Sequence, residues 1–184
     1  PGPDTSPVAL LESVVMPALD HIGRGWEQGT ISLAQVYMSG RICEEHIDAL
    51  LPPTSADRKD QPPMAVVVLE DQHKLGLRIV YSVLRSAGFA LHNYGSMQLA
   101  PLVARVREDG VRILLVSTLM LPAALRIREL VARLGELDPV PRVVVGGAPF
   151  RFAPGLWERV GADAHGTVAT DAVPIVNRLL EEMP

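Results

Sequence analysis

A doubly wound α/β domain with a parallel sheet of five strands, preceded by a small helical subdomain, is the fold that this sequence predicts. Three observations predict it. Short β-branched runs alternate with amphipathic helical stretches from Met64 onward. Those runs are continuously apolar, which marks strands covered on both faces. Before Leu51 the apolar residues recur only at helical spacing.

The elements follow in order. From Ser6 to Leu51 the apolar positions are Leu10, Leu11, Val14, Val15, Leu19 and Ile22, then Leu33, Val36, Tyr37, Cys43, Ile47 and Leu50. Ser6 before Pro7 has the form of an N-cap, Pro17 is expected to kink or split the first helix, and "GTIS" closes it and caps the next. Two helical segments cannot bury both faces alone, so residues 1–51 are expected to pack on the rest of the chain or on a partner. "PPTSADRKDQPP", residues 52–63, is polar, proline-bracketed and aperiodic, and reads as a linker.

Residues 64–184 then carry the α/β pattern. "MAVVVL", "FALHNY", "VRILLVS" and "PRVVVGG" are the predicted strands. The helices between them are "GLRIVYSVLRSAG", "LAPLVARVREDG" and "PAALRIRELVARLGEL". A last unit runs from "PGLWERVG" through a weak strand at "AHGTV" to "DAVPIVNRLLEE". The expected strand order is the flavodoxin-like 2-1-3-4-5.

Composition excludes several classes. With 48% hydrophobic residues and a net charge of -4 in 184 residues, the chain is globular, and nothing in it recruits nucleic acid or an anionic membrane. Its single cysteine, Cys43, rules out an intramolecular disulfide, and "ILLVSTLMLPAAL" is too short and interrupted to span a bilayer. No signal-peptide pattern is present, so a cytoplasmic location is expected. Because the chain opens with "PGPDTSP" and not with Met, it is expected to be a processed or excised piece of something longer. Cys43 and His46 have ligand-like spacing, but no second pair accompanies them as structural zinc would require.

In an open parallel sheet the ligand lies beyond the carboxyl ends of the strands, where the winding reverses. With strands one, three and four adjacent, "EDQHKLG", "STLM" and "GGAPF" meet on one rim. Singly these are weak signals: turn hydroxyls and glycine pairs are common. Together they place an acid, a histidine, two hydroxyls and a double glycine on one edge. No G-x-G-x-x-G follows any strand, so a dinucleotide fingerprint is absent.

Asp71, His73 and Gly76 after the first strand, Ser117 and Leu119 after the third, and Gly146 and Gly147 after the fourth resemble the D-x-H-x-x-G, S-x-L and G-G pattern of cobalamin-binding corrinoid proteins. The stretch "MPALDHIGRGWEQGTISLAQVYMSG" is similar to the second half of the helical cap of methyl-carrying members. The resemblance implies cobalamin, as methylcobalamin or a related corrinoid, bound with its own base displaced and with His73 as the lower axial cobalt ligand. Asp71 would then accept the other imidazole N–H and fix the tautomer. It further implies that Gly76, Ser117, Thr118, Leu119, Gly146 and Gly147 line a slot for the nucleotide tail, and that Tyr37 and Met38 contact the upper face. Glu70 departs from the pattern, standing where a glycine commonly precedes the Asp, and Leu121 and Ala123 replace hydroxyls found in some relatives.

The implied function is that of a carrier subunit without catalytic residues of its own, loaded by one methyltransferase and unloaded by another. The alternative is a cobalamin-dependent sensor. Photoreceptor relatives place Glu-His ten and eleven residues after a cap Trp, where Trp26 is followed by Val36 and Tyr37, which lowers a light-sensing role. With only part of a cap visible, shielding of the upper face is expected from upstream residues, a partner protein or a second copy in a homodimer.

Overall fold

The computed structural model describes residues 10–50 and 61–183, so the proposed Ser6 cap and most of the linker lie outside the described residues. The chain divides into two compact units, Pro1–Pro53 and Thr54–Pro184.

The first unit holds a π-helical turn at Leu11–Val15, then α1 (Met16–Glu27) and α2 (Leu33–Leu50). The hydrogen-bonding pattern changes one residue before Pro17, which has no N–H to give to the preceding turn. Ser32 and Gln35 form a reciprocal cap on α2. The Gln35 N–H donates to Ser32 Oγ at 3.3 Å, and the Ser32 N–H donates to Gln35 Oε1 at 2.8 Å. "GTIS" thus does what its sequence predicts.

The second unit is built on five parallel strands: β1 (Met64–Leu69), β2 (His92–Met97), β3 (Ile113–Ser117), β4 (Arg142–Gly146) and β5 (Ala164–Gly166). Their spatial order is β2-β1-β3-β4-β5, as expected. The longer helices are α3 (Leu75–Ser86), α4 (Leu99–Glu108), α5 (Leu121–Leu134) and α8 (Ala172–Glu181). Two short ones, α6 (Ala148–Phe152) and α7 (Leu156–Arg159), follow β4.

Alternation along the strands divides the core in two. Ala65, Val67 and Leu69 of β1, with Leu114, Val116, Val143 and Val145, pack against α4 and α5. Met64, Val66 and Val68, with Ile113, Leu115 and Val144, pack against α3 and α8. No residue of β1 is more than 1% exposed, so both faces are covered and the run reads as continuously apolar.

The second strand corrects the expected register. "FALHNY" predicts residues 89–94, whereas β2 begins at His92 and runs to Met97. Phe89 is fully buried, but it enters the α3 side of the core from the turn before the strand. β2 is an edge strand with mixed exposure, so its composition lacks a buried-strand signature. Its pairing also slips at Gly95 (φ +63°), whose N–H donates to Asn93 Oδ1 at 3.0 Å.

Candidate functional site

Register brings the sequence-predicted residues to one rim. Val68 lies beside Ser117, Ser117 beside Gly146, and Gly146 beside Gly166, so a row of small residues closes the carboxyl ends of β3, β4 and β5. The β1 loop projects Asp71 and His73 at the same edge.

Asp71 organises that edge. It is 5% exposed, and its Oδ1 accepts from the N–H groups of Gln72 (2.7 Å) and His73 (3.1 Å) and from His73 Nδ1 at 2.5 Å. Oδ2 accepts the N–H groups of Leu119 and Met120, each at 3.1 Å, which ties the β1 loop to the β3 loop. Ser96 Oγ–H donates to the Asp71 carbonyl and ties in β2 as well. Burial alone pushes the Asp71 carboxyl up, but the hydrogen bonds from His73, Leu119 and Met120 outweigh it and hold it below the usual carboxylate range.

An ionised carboxylate only accepts, so the proton between Asp71 and His73 sits on Nδ1. In the neutral ring Nε2 is then the nitrogen with a free lone pair, competent as a ligand. The His73 side chain is 52% exposed, and Nε2 has no hydrogen-bond partner among the described residues.

Two glycines stand close to their neighbours, and one of them faces backbone. A Cβ on Gly76, in the first turn of α3, would stand 2.7 Å from Ser117 Oγ, a contact that turning the serine hydroxyl away would relieve. Gly147 has φ +113°, and a Cβ there would meet the Thr118 carbonyl oxygen at 1.9 Å. Gly146 is different: a Cβ would meet only the Gly166 carbonyl oxygen at 3.6 Å, an ordinary contact.

Thr118 is 2% exposed, and its Oγ1 is buried without a hydrogen-bond partner. Such a group is destabilising unless something else bonds to it. Beside it, Leu119, Met120 and Leu121 are 46%, 50% and 52% exposed in succession, and Phe152 after β4 and Val168 after β5 are exposed too. An apolar surface thus borders the histidine. A cavity of about 440 Å³ lies at the opposite end of the sheet, lined by Arg112, Val140, Arg142 and Asp163, away from all of this chemistry.

Tyr37 and Met38 belong to α2 in the other unit. The Tyr37 side chain is outside the described residues, and Met38 is 55% exposed. Cys43 is free, and no metal-competent group of His, Cys, Asp and Glu occurs among the described residues. No helix there is long and apolar enough to cross a membrane.

Sequence reasoning missed Ser96, Gly166 and the partner of Glu70. Ser96 sits on a mispredicted strand, whereas Gly166 could have been found as the small residue ending β5. Glu70 has φ +48°, a left-handed conformation that costs a non-glycine residue about 1–2 kcal/mol. Its carboxylate accepts from Arg126 Nε at 3.0 Å, and the guanidinium beside it holds the carboxyl below its ordinary range.

These features suit a corrinoid: a half-exposed imidazole with one nitrogen fixed and the other open, an unpaired buried hydroxyl, a row of small residues and an apolar border. Comparison with known proteins agrees. A B12 binding domain model matches residues 62–175, and a second B12 binding domain model matches residues 3–51. Dimethylamine corrinoid protein 1 of Methanosarcina acetivorans is 29% identical over 185 residues, covering 96% of this chain and 85% of that protein. Dimethylamine corrinoid protein 3 of Methanosarcina mazei is 30% identical over 170 residues, covering 88% of this chain and 99% of that protein. Among solved structures, the monomethylamine corrinoid protein of Methanosarcina barkeri superposes with a TM-score of 0.80 at 25% identity, covering 96% of this chain and 84% of that one. The methanol:cobalamin methyltransferase complex MtaBC of Methanosarcina barkeri shares the fold, with a TM-score of 0.60 at 20% identity, covering 97% of this chain and 69% of that one. With most of its length matched in this way, the chain belongs to the B12 binding domain family, and its cofactor is a cobalamin.

Proposed function

We propose that this protein is a corrinoid methyl carrier that passes a methyl group between partner methyltransferases, holding cobalamin base-off with His73 as the lower axial ligand. The observation that carries the reading is the Asp71–His73 pair, with Nδ1 fixed at 2.5 Å from the carboxylate and Nε2 left open at the rim. When bound, the corrinoid supplies a cobalt centre that accepts and releases a methyl group. The rest is the protein's task.

Asp71 keeps the Nδ1–H tautomer, so the imidazole presents Nε2 in one orientation. It also joins the β1 loop to the β3 loop and to strand β2, so the ligand rests on a supported edge. Thr118 Oγ1 and Ser117 would bond to the nucleotide tail, Gly76, Gly146 and Gly147 would leave it room, and Leu119 would cover its apolar side. Residues 1–51 would act as a cap with Tyr37 and Met38 over the upper face, residues 52–63 as linker and residues 64–184 as the cofactor-binding domain. The separate family match over residues 3–51 supports that division. The names of three relatives, which are methylamine corrinoid proteins, and the methyltransferase complex among the structural neighbours support a carrier role. A cytoplasmic location follows from that role.

The test loads wild type and His73→Ala with aquocobalamin, reduces both to cobalt(II) and records electron paramagnetic resonance. Wild type should show nitrogen coupling that the variant loses or replaces. Identical spectra would refute ligation by His73.

A further inference from the structure

The backbone at Glu70 adopts the left-handed conformation (φ +48°) that glycine takes freely. A glutamate keeps such a conformation only when contacts hold it there. Its N–H donates to the Met97 carbonyl at 3.0 Å, and Oε1 accepts the Leu99 N–H at 3.4 Å at the start of α4. Oε2 accepts Arg126 Nε at 3.0 Å, with Arg126 Nη2 at 3.5 Å from Oε1. Arg126 is itself bonded to Glu129, which also takes Arg133 at 2.5 Å, so the guanidinium is steadied along α5.

Two consecutive carboxylates therefore grip the same elements. Asp71 takes the amides of Leu119 and Met120 just before α5 begins, and Glu70 takes Arg126 further along that helix. The Glu70 side chain is 22% exposed and that of Arg126 45%, so the carboxylate is the shielded partner and the guanidinium lies at the surface. A glycine here could satisfy the backbone but could not reach α5.

We infer that Glu70 is a positioning residue: with Arg126 it clamps the β1 loop to α5, so that Asp71 keeps its bonds across the rim and His73 stays aimed before any cofactor arrives. The purpose of the clamp rests on ligation by His73. The clamp itself is a property of the protein alone, and the two can be tested apart.

Hydrogen exchange is measured in the full chain without cofactor at the amides of Gln72, His73, Leu119 and Met120. Glu70→Gly, which removes the clamp while suiting the backbone, should speed exchange at these sites about three- to tenfold. Arg126→Ala should match it, the double variant should be no faster than either single one, and Glu70→Gln should fall between. Exchange at Leu114 and Leu115 in β3 should not change. Unaltered exchange at the four amides in Glu70→Gly, or an equal rise throughout the sheet, would overturn the inference. The same variants are then loaded with aquocobalamin and reduced. If wild type shows coupling to His73, Glu70→Gly should give a mixed spectrum, and a spectrum identical to wild type would overturn the inference. If the exchange result holds but wild type shows no coupling to His73, the clamp stands and the ligation reading falls.

Discussion

Asp71 brings together donors from positions almost fifty residues apart in sequence, and no amide side chain could do the same. An asparagine has one acceptor oxygen, so its NH2 group would face either His73 or the amides of Leu119 and Met120. Asp71→Asn should lower stability by about 2 kcal/mol or more in denaturant unfolding, since a hydrogen bond to a charged group contributes about 1.5–3 kcal/mol. It should also release bound cobalamin faster. Thr118 behaves in the opposite way. Its Oγ1 is buried and unpaired, so Thr118→Val should raise the melting temperature of the cofactor-free protein, by about 1 kcal/mol of stability, and weaken cobalamin binding measured by titration. Among the glycines, Gly147→Ala should cost more than about 2 kcal/mol, because a left-handed backbone and a carbonyl oxygen both stand against the new methyl group. Gly146→Ala should unfold close to wild type, which thermal melts of the pair would show directly. Asp71, His73, the glycines and Ser117 were legible as residue types at fixed spacing. That Asp71 joins the loops was not, because the Leu119 and Met120 donors are backbone groups that any sequence supplies.

Helices and central strands were legible at the scale of elements wherever burial was uniform. β1, β3 and β4 are covered on both faces, so their residues had to be apolar, and α2 begins at the Ser32–Gln35 cap its sequence advertises. β2 was misplaced because an edge strand has no such constraint, and α6 was missed because five residues carry too short a period to see. The link from β1 to α5 through Glu70 and Arg126 was equally hidden, since nothing local pairs residues this far apart. It does carry a pH signature. The Glu70 carboxyl is held below its ordinary range by Arg126, so its contribution to stability is fully present above the unfolded-state value and is lost as pH falls through the depressed folded-state value. Stability of wild type should therefore decline more steeply over that acidic window than that of Glu70→Gln, as denaturant midpoints at a series of pH values would report. Parallel slopes would mean that the pair contributes nothing.

At the scale of the whole molecule, the five strands in 2-1-3-4-5 order turn three separate stretches of sequence into one rim. That topology was legible because parallel connections leave few alternatives once the strand runs and the helices between them are recognised. The chain divides into two compact units after Pro53, and separate family models match residues 3–51 and 62–175. The proposed function rests on one bond, which the open nitrogen of His73 would make while Asp71 fixes the other nitrogen. Its most direct test is electron paramagnetic resonance of the cobalt(II) protein prepared with 15N-labelled histidine and unlabelled cobalamin. A spin-½ nucleus on the axial ligand should turn each nitrogen triplet into a doublet, and His73→Ala should abolish the effect. Triplets that persist in the labelled protein would mean that the cofactor's own base holds the metal, and the account would be contradicted.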